Sequence, residues 1–193
     1  MTELLDIRVL LRMVRRTLTD PQGGARAILD LRLPVPVLWQ FFLLQLVISA
    51  ILKVIVFTFF PTPEVDLNPS AAISFTMIEA AMGAILALAT YHIGRVFGGK
   101  GTFAGALALI VWLQFILLCV NVVQLFVMMI LPPAGDVITL LALALFFWLL
   151  AQFIAALHGF TSMGRVFLGI VLSLMALAFV FNIVLALLGI RIG

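Results

Sequence analysis

Long apolar stretches separated by short polar turns are the feature that most constrains this chain. Because about 20 apolar residues suffice for a helix to cross the hydrocarbon layer of a bilayer, each stretch is a candidate transmembrane helix. The chain is 65% hydrophobic and 10% charged, whereas an ordinary soluble domain is about 45–50% apolar and about 25% charged. The sequence therefore predicts an all-α, polytopic membrane bundle with about five transmembrane helices in a domain at residues 37–193. The predicted spans lie at about 37–60, 71–93, 103–131, 137–157 and 166–188.

Residues 1–36 form a separate cytoplasmic or interfacial segment ahead of the first span. This segment contains six of the nine arginines of the chain, and four of them recur at helical spacing. The spacing predicts an amphipathic helix over residues 1–18, and a cationic face of this kind suits anionic lipid headgroups. A helix docked on the protein's own bundle is the alternative. Asp20 followed by Pro21 predicts the N-cap and first position of a second short helix, over about 24–31. The candidate anionic-lipid contacts are Arg8, Arg12, Arg15 and Arg16.

The basic residues of the turns and tails divide unequally between the two sides of the membrane. If the N-terminus lies in the cytoplasm, so do Arg8, Arg12, Arg15, Arg16, Arg26, Arg32, Arg95, Lys100 and Arg165. The other side then receives Glu64, Asp66, Asp136 and a single basic residue, Arg191. Positive charge near span ends favours the cytoplasmic side. We therefore expect a multi-pass protein of the inner (plasma) membrane, with a cytoplasmic N-terminus and an extracytoplasmic C-terminus.

Two ionisable residues lie well inside predicted spans, Lys53 in the first and Glu79 in the second. The two spans form an antiparallel hairpin, and both residues lie at a similar depth near its outer end. An unpaired charge at this depth is costly, so we expect an ion pair between them, either structural or functional. A lysine that extends outward to the interface is the alternative. Gln124 and Asn182 lie at a similar depth in the third and fifth spans and form a candidate polar layer.

The chemistry-bearing motifs of the chain are weak. Residues 94–102 approach the phosphate-loop pattern G-x-x-x-x-G-K-[ST], but Gly101 occupies the hydroxyl position and a membrane helix precedes the loop. His92 and His158 lack a nearby carboxylate or thiol, and Cys119 is the only cysteine. We therefore expect no catalytic, cofactor or metal site and no enzyme activity. The charge distribution does not indicate nucleic-acid binding.

Several local motifs resemble those of the Yip family of membrane proteins, which is named for eukaryotic partners of Ypt/Rab GTPases. The motifs that carry the resemblance are Asp20-Pro21, residues 25–29, Leu33-Pro34, residues 101–107, and His158-Gly159 with Phe167-Leu168-Gly169. The chain looks most like the short bacterial branch. The resemblance implies a non-enzymatic membrane scaffold or assembly factor.

Such a protein acts through contacts with the lipid bilayer and with other membrane proteins. Association of the chain with further copies of itself is a second possibility. The chain departs from many family members in two ways. It lacks a proline in residues 111–115, and it lacks the long cytoplasmic tail of eukaryotic members, so the resemblance does not extend to Rab-type binding. The alternative function is a small transporter or channel that uses Lys53, Glu79, Gln124 and Asn182.

Overall fold

The computed structural model describes residues 7–60, 69–162, 164, 166–173 and 175. The helices are α1 (Ile7–Thr19), α2 (Pro21–Asp30), α3 (Val35–Phe59), α4 (Pro69–Val96), α5 (Phe103–Ile130) and α6 (Ala134–His158). Within the described ranges, α3 to α6 are the four helices long and apolar enough to cross a membrane. The predicted all-α membrane bundle is confirmed. Residues 166–173 of the fifth predicted span are helical, and its continuation from 176, with Asn182, lies outside the described residues.

The boundaries of the long helices follow the polar and proline-containing turns. α3 begins at Val35, two residues before the first predicted span, because Pro36 occupies a position in the first turn where its missing N–H is not needed. α6 begins at Ala134, three residues before the predicted span. α5 begins after Thr102, whose hydroxyl accepts a hydrogen bond from the Gly105 N–H at 3.1 Å and so satisfies one of the free donors of the first turn.

The helices α1 and α2 form a hairpin that packs against the bundle. Asp20 caps α2 by accepting a hydrogen bond from the Gly23 N–H at 2.9 Å, which confirms the predicted cap, and α2 begins at Pro21 itself. The two helices approach closely at Gly24, where an added Cβ would lie 2.8 Å from the Cα of Thr17. A hydrogen bond of 3.0 Å from the Gln22 amide to the Gln152 side chain joins α2 to α6. We call the end of the bundle that carries this hairpin the basic end.

The core of the molecule lies around the first half of α5. Every residue from 105 to 113 is buried, because α2, α3, α4 and α6 all pack against this helix. The second half of α5 differs, since Val123, Phe126 and Met129 are 57–67% exposed. The bundle is therefore closely packed at the basic end and more open at the opposite end.

The turn between α4 and α5 encloses the ring of His158, which is 3% exposed. His158 Nδ1 accepts a hydrogen bond from the Gly101 N–H at 3.2 Å, and Nε2 lies 3.0 Å from the carbonyl oxygen of Thr90. Because a carbonyl only accepts, Nε2 carries the proton. Cβ atoms at Gly94, Gly99 and Gly101 would lie 2.1, 2.2 and 2.7 Å from atoms of the ring. The glycines of the phosphate-loop-like segment thus make room for an imidazole that ties the turn to α6.

Replacing Gly94 by alanine tests this enclosure. Alanine gains about 1 kcal/mol of helix propensity over glycine, but its Cβ would overlap the His158 ring. We expect Gly94→Ala to lower the free energy of unfolding by roughly 1–3 kcal/mol, measured as a lower Tm in detergent. Gly164→Ala is the matched control, because no atom of the described residues lies within 4 Å of a Cβ added there. A Tm of Gly94→Ala equal to that of wild type would contradict the enclosure.

Candidate functional site

The side chains of Lys53 and Glu79 meet between α3 and α4. Lys53 Nζ lies 2.5 Å from Glu79 Oε2 and donates a second hydrogen bond of 2.6 Å to the Ser49 hydroxyl. Ser49 donates in turn to the same Glu79 oxygen at 2.7 Å. The three side chains therefore form a closed triangle of hydrogen bonds with no net charge. The lysine extends back towards Ser49, one helical turn earlier in α3, and not outward to the interface.

The direction of helical side chains explains how this pair forms. Lys53 lies six residues before the end of α3, whereas Glu79 lies ten residues after the start of α4, so the glutamate is the deeper residue. Each Cα–Cβ bond on a helix tilts towards the N-terminus of that helix. Because α3 and α4 are antiparallel, the lysine leans towards the middle of the bundle and the glutamate leans towards the outer end. The two charged groups consequently converge at an intermediate depth.

A cavity of about 310 Å³ lies beside this pair, between α3, α4, α5 and α6. Its apolar walls come from leucines of α3, α5 and α6 and from Phe146. The most exposed of its lining residues, Asn121, Thr139 and Leu143, lie on α5 and α6, so the cavity opens on that side. Its polar lining residues are Gln45, Glu79, Gln114, Asn121 and Thr139.

Several polar atoms of the cavity have hydrogen-bonding capacity left over. The Gln45 amide donates to the Val111 carbonyl at 3.2 Å, but its Oε1 atom is buried and has no partner among the described residues. Both hydrogen bonds that Glu79 accepts from the described residues end on Oε2. Gln114 packs tightly on α4, where an added Cβ at Gly83 would lie 2.3 Å from its Nε2 atom. Among the described residues that line the cavity, the Gln45 Oε1 atom is the one that is both buried and without a hydrogen-bond partner.

The predicted polar layer of Gln124 and Asn182 is not brought together with the ion pair in the described part of the chain. The Gln124 amide nitrogen lies 3.0 Å from the Gly135 carbonyl oxygen and 2.8 Å from the Thr139 hydroxyl. These contacts tie α5 to the start of α6. Asn182 lies outside the described residues, so the polar layer stays a prediction.

Sequence reasoning missed Ser49. Ser49 precedes Lys53 by one helical turn, and that spacing was the available signal. Gln45 lies one turn earlier again, so the polar residues of α3 form a stripe at positions 45, 49 and 53. Such a stripe is typical of a helix face that lies against polar groups.

The arginines of α1 lie on its exposed side. Arg8, Arg12, Arg15 and Arg16 are all exposed, whereas Val14 and Thr17 are buried against the bundle. The Thr17 hydroxyl accepts a hydrogen bond of 3.1 Å from the Trp112 indole N–H and donates to the Met13 carbonyl at 2.9 Å. One face of α1 is thus attached to α5 while the arginines point away from it.

No group of three or more His, Cys, Asp or Glu side chains suitable for a metal lies among the described residues. The two histidines differ in environment. His158 is buried in the turn, and His92 is exposed with its ring edge against Tyr91 at a centroid distance of 4.8 Å. A site that joins the two rings is not formed.

A comparison with protein families identifies the chain. The Yip1 domain family matches residues 15–185, which is most of the sequence. The protein belongs to the Yip1 domain family. No curated protein and no solved structure matches the chain significantly. As a Yip1 domain protein with several apolar helices, it is a multi-pass membrane protein.

The motifs behind the Yip resemblance lie mainly at the basic end. Asp20 caps α2, residues 101–107 begin the buried half of α5, and His158 occupies the turn between α4 and α5. These residues determine how the helices of the Yip1 domain pack together at this end. The cavity and the ion pair lie further along the bundle and depend on other residues.

The hydrogen-bonded pair gives a prediction for stability. Lys53→Met and Glu79→Gln should each lower the free energy of unfolding by roughly 1–3 kcal/mol, because each leaves one charged group in an apolar layer. This range is reduced for partial exposure, since the two side chains are 25% and 35% exposed. The double variant should recover part of the loss when Tm is measured in detergent. Lys100→Met removes an exposed lysine and is the matched control. Additive losses in the double variant would show that the pair does not interact.

Proposed function

We propose that this Yip1 domain protein is a non-enzymatic scaffold or assembly factor that holds a cationic helix against the membrane surface. One observation carries the proposal. α1 is attached to the bundle through Thr17 and Trp112, while its arginines remain exposed. An attached helix presents its charges in one fixed orientation to lipid headgroups or to an acidic partner surface.

The composition of the exposed side of α1 favours the lipid surface as the first partner. Leu11 and Leu18 are 54% and 40% exposed, although they lie among charged residues. Exposed leucines beside arginines are typical of a helix that lies in the membrane interface. Anionic headgroups attract each arginine near the surface with about 1 kcal/mol. The two interpretations of α1 thus combine, because one face docks on the bundle and another faces the interface.

The proposed orientation places the basic end in the cytoplasm of a bacterial cell, with the protein in the inner membrane. Among the described residues this end carries the α1 arginines together with Arg26, Arg32, Arg95 and Lys100, whereas the opposite end carries Asp136 in the first turn of α6. This division agrees with the preference of positive charge for the cytoplasmic side. Residues 1–36 then form the cytoplasmic segment and residues 37–193 the transmembrane domain, with an extracytoplasmic C-terminus. Other membrane proteins and further copies of the chain are secondary partners in this proposal.

The arginines are tested in the full-length protein with phosphatidylglycerol as the probe. Changing Arg12, Arg15 and Arg16 together to glutamine should weaken phosphatidylglycerol binding by about tenfold or more, as measured by native mass spectrometry from detergent. Raising the ionic strength should weaken binding to wild type and have little effect on the variant.

The same three positions changed to lysine provide the control, because the charge is kept. The glutamine variant should lose binding and the lysine variant should retain most of it. Equal phosphatidylglycerol binding by wild type and the glutamine variant, at both ionic strengths, would overturn the proposal.

A small transporter or channel is the second candidate, and the cavity beside Glu79 is the observation that favours it. Among its four proposed residues, Lys53 and Glu79 meet, Gln124 bonds to the start of α6, and Asn182 lies outside the described residues. The scaffold is preferred because residues 105–113 of α5 are buried at the basic end, where a pathway to the cytoplasm would have to continue. Solute flux in proteoliposomes that is lost in Glu79→Gln would favour transport.

A further inference from the structure

We propose that His158 and the turn at residues 94–102 form a pH-sensitive latch, which is closed while the imidazole is neutral and opens when the ring takes up a second proton. His158 does not line the cavity between the long helices. The latch is also independent of the proposed scaffold role, because it depends on the contacts of this one ring.

The two ring nitrogens of His158 have different partners. Nε2 donates to the Thr90 carbonyl oxygen at 3.0 Å, and Nδ1 accepts from the Gly101 N–H at 3.2 Å. Because a carbonyl only accepts and a backbone N–H only donates, these contacts fit the neutral ring alone. A second proton would bind at Nδ1 and would point at the Gly101 N–H, so that one donor would face another.

The enclosure leaves the charged ring little room to turn away from this conflict. His158 is 3% exposed. A Cβ at Gly94 would lie 2.1 Å from Nε2, and a Cβ at Gly99 would lie 2.2 Å from Nδ1. Phe160 stacks on the ring at a centroid distance of 5.5 Å, and a stacked aromatic ring attracts a cation, but it has no acceptor atom for the new N–H. Separation of the turn from the ring removes the conflict and lets water accept that hydrogen bond.

The acidic side chains nearby do not compensate for a second proton. On α2, α4, α5 and α6 the acids are Asp30, Glu79 and Asp136. Glu79 is paired with Lys53 and lies about three helical turns before Thr90. Asp30 is exposed, and Asp136 lies at the opposite end of the bundle. His158 therefore has no ion pair with a carboxylate of the described residues.

The charged side chains of the turn itself are cationic. Arg95 and Lys100 belong to the segment that encloses the ring, and both are exposed. Residues 103–113 and 159–164 contain no ionisable side chain. The other ionisable side chains on or beside this end of α2 and α4 are Arg26, Arg32, Tyr91 and His92. Because like charges disfavour a further cation, these surroundings favour the neutral ring as long as the turn is closed.

The backbone amides of the turn report whether it is closed. The Gly98 N–H donates to the Arg95 carbonyl at 3.0 Å, and the Gly99 N–H donates to the Gly94 carbonyl at 2.8 Å. The Gly101 N–H donates to the ring of His158. Opening of the turn exposes these groups to water, so their exchange with deuterium measures how often the turn opens.

The size of the pH effect follows from linkage. A free imidazole has a pKa of about 6.5. If the closed turn accepts only the neutral ring, the ratio of open to closed turns should rise about tenfold between pH 8 and about pH 5.5. The stability of the closed turn is thus fully present above this range and is lost as the pH falls through it.

Hydrogen exchange of the full-length wild-type protein in detergent tests the latch. The protection factor of residues 97–102, corrected for the intrinsic pH dependence of exchange, should fall about tenfold from pH 8 to about pH 5.5. Residues 131–135 form a turn with similar backbone hydrogen bonds at the opposite end of the bundle. This turn is the internal control, and its protection should not fall in the same way.

Two variants assign the effect to one ring. The chain has two histidines, so His92→Gln leaves His158 as the only imidazole, and this variant should keep the fall in protection. Its single imidazole, followed by ¹⁵N NMR, should titrate over the same pH range. In His158→Gln the amide replaces the ring with a group that does not titrate, so protection of residues 97–102 should not depend on pH. If His158→Gln does not fold, the His92→Gln protein decides by itself.

Four outcomes would overturn the proposal. Equal protection of wild type at both pH values means that the closed turn holds the charged ring as well as the neutral one. An equal fall in residues 97–102 and 131–135 assigns the effect to the whole bundle. A fall that persists in His158→Gln, or that His92→Gln abolishes, assigns it to another group. A His158 signal that does not titrate with the loss of protection separates the ring from the opening of the turn.

Discussion

The burial of α5 on all sides over residues 105–113 is the constraint on which the rest of the structure depends. A transmembrane helix at the edge of a bundle buries one face and leaves the others to lipid, whereas this segment is enclosed by its neighbours. Small residues let the neighbouring helices approach α5 closely. A Cβ added at Gly105 would lie 2.8 Å from Leu157 and 3.0 Å from Leu29. Since lipid provides no hydrophobic drive for helix association, close packing of this kind supplies much of the attraction between membrane helices.

The enclosure of α5 at the basic end also explains where the polar side chains of the bundle lie. The α1–α2 hairpin contributes to the enclosure, and the hydrogen bond from Trp112 to Thr17 sets the orientation of α1. Further along α5 the neighbouring helices leave a cavity, and Gln45 of α3 and Glu79 of α4 are among the residues that line it. The Yip1 domain thus has a closely packed basic end and, further along the bundle, a cavity with apolar walls and a few polar side chains.

Much of this arrangement follows from local sequence. The lengths of the apolar stretches predict the long helices, and Asp20-Pro21 predicts the start of α2, because both depend on residues close together in the chain. The depth of Lys53 and Glu79 indicates that they could meet. Helix rotation cannot be inferred from depth, so the part played by Ser49 and the free oxygen of Gln45 emerged only from the structure. The glycines around His158 resembled a phosphate loop in sequence because their partner lies on α6, nearly sixty residues away, and a local pattern does not contain such a contact.

The enclosure of α5 can be measured directly. Single cysteines are placed in turn at residues 105–113 and 121–130 in a protein whose Cys119 is replaced by alanine, and each is spin-labelled in liposomes. Collision rates with oxygen, which dissolves in lipid, report exposure to the acyl chains. We expect uniformly low rates over 105–113 and a helical periodicity with high maxima over 121–130, where Val123 and Phe126 are exposed. A helical periodicity with high maxima over 105–113 would place that segment against lipid and contradict the account.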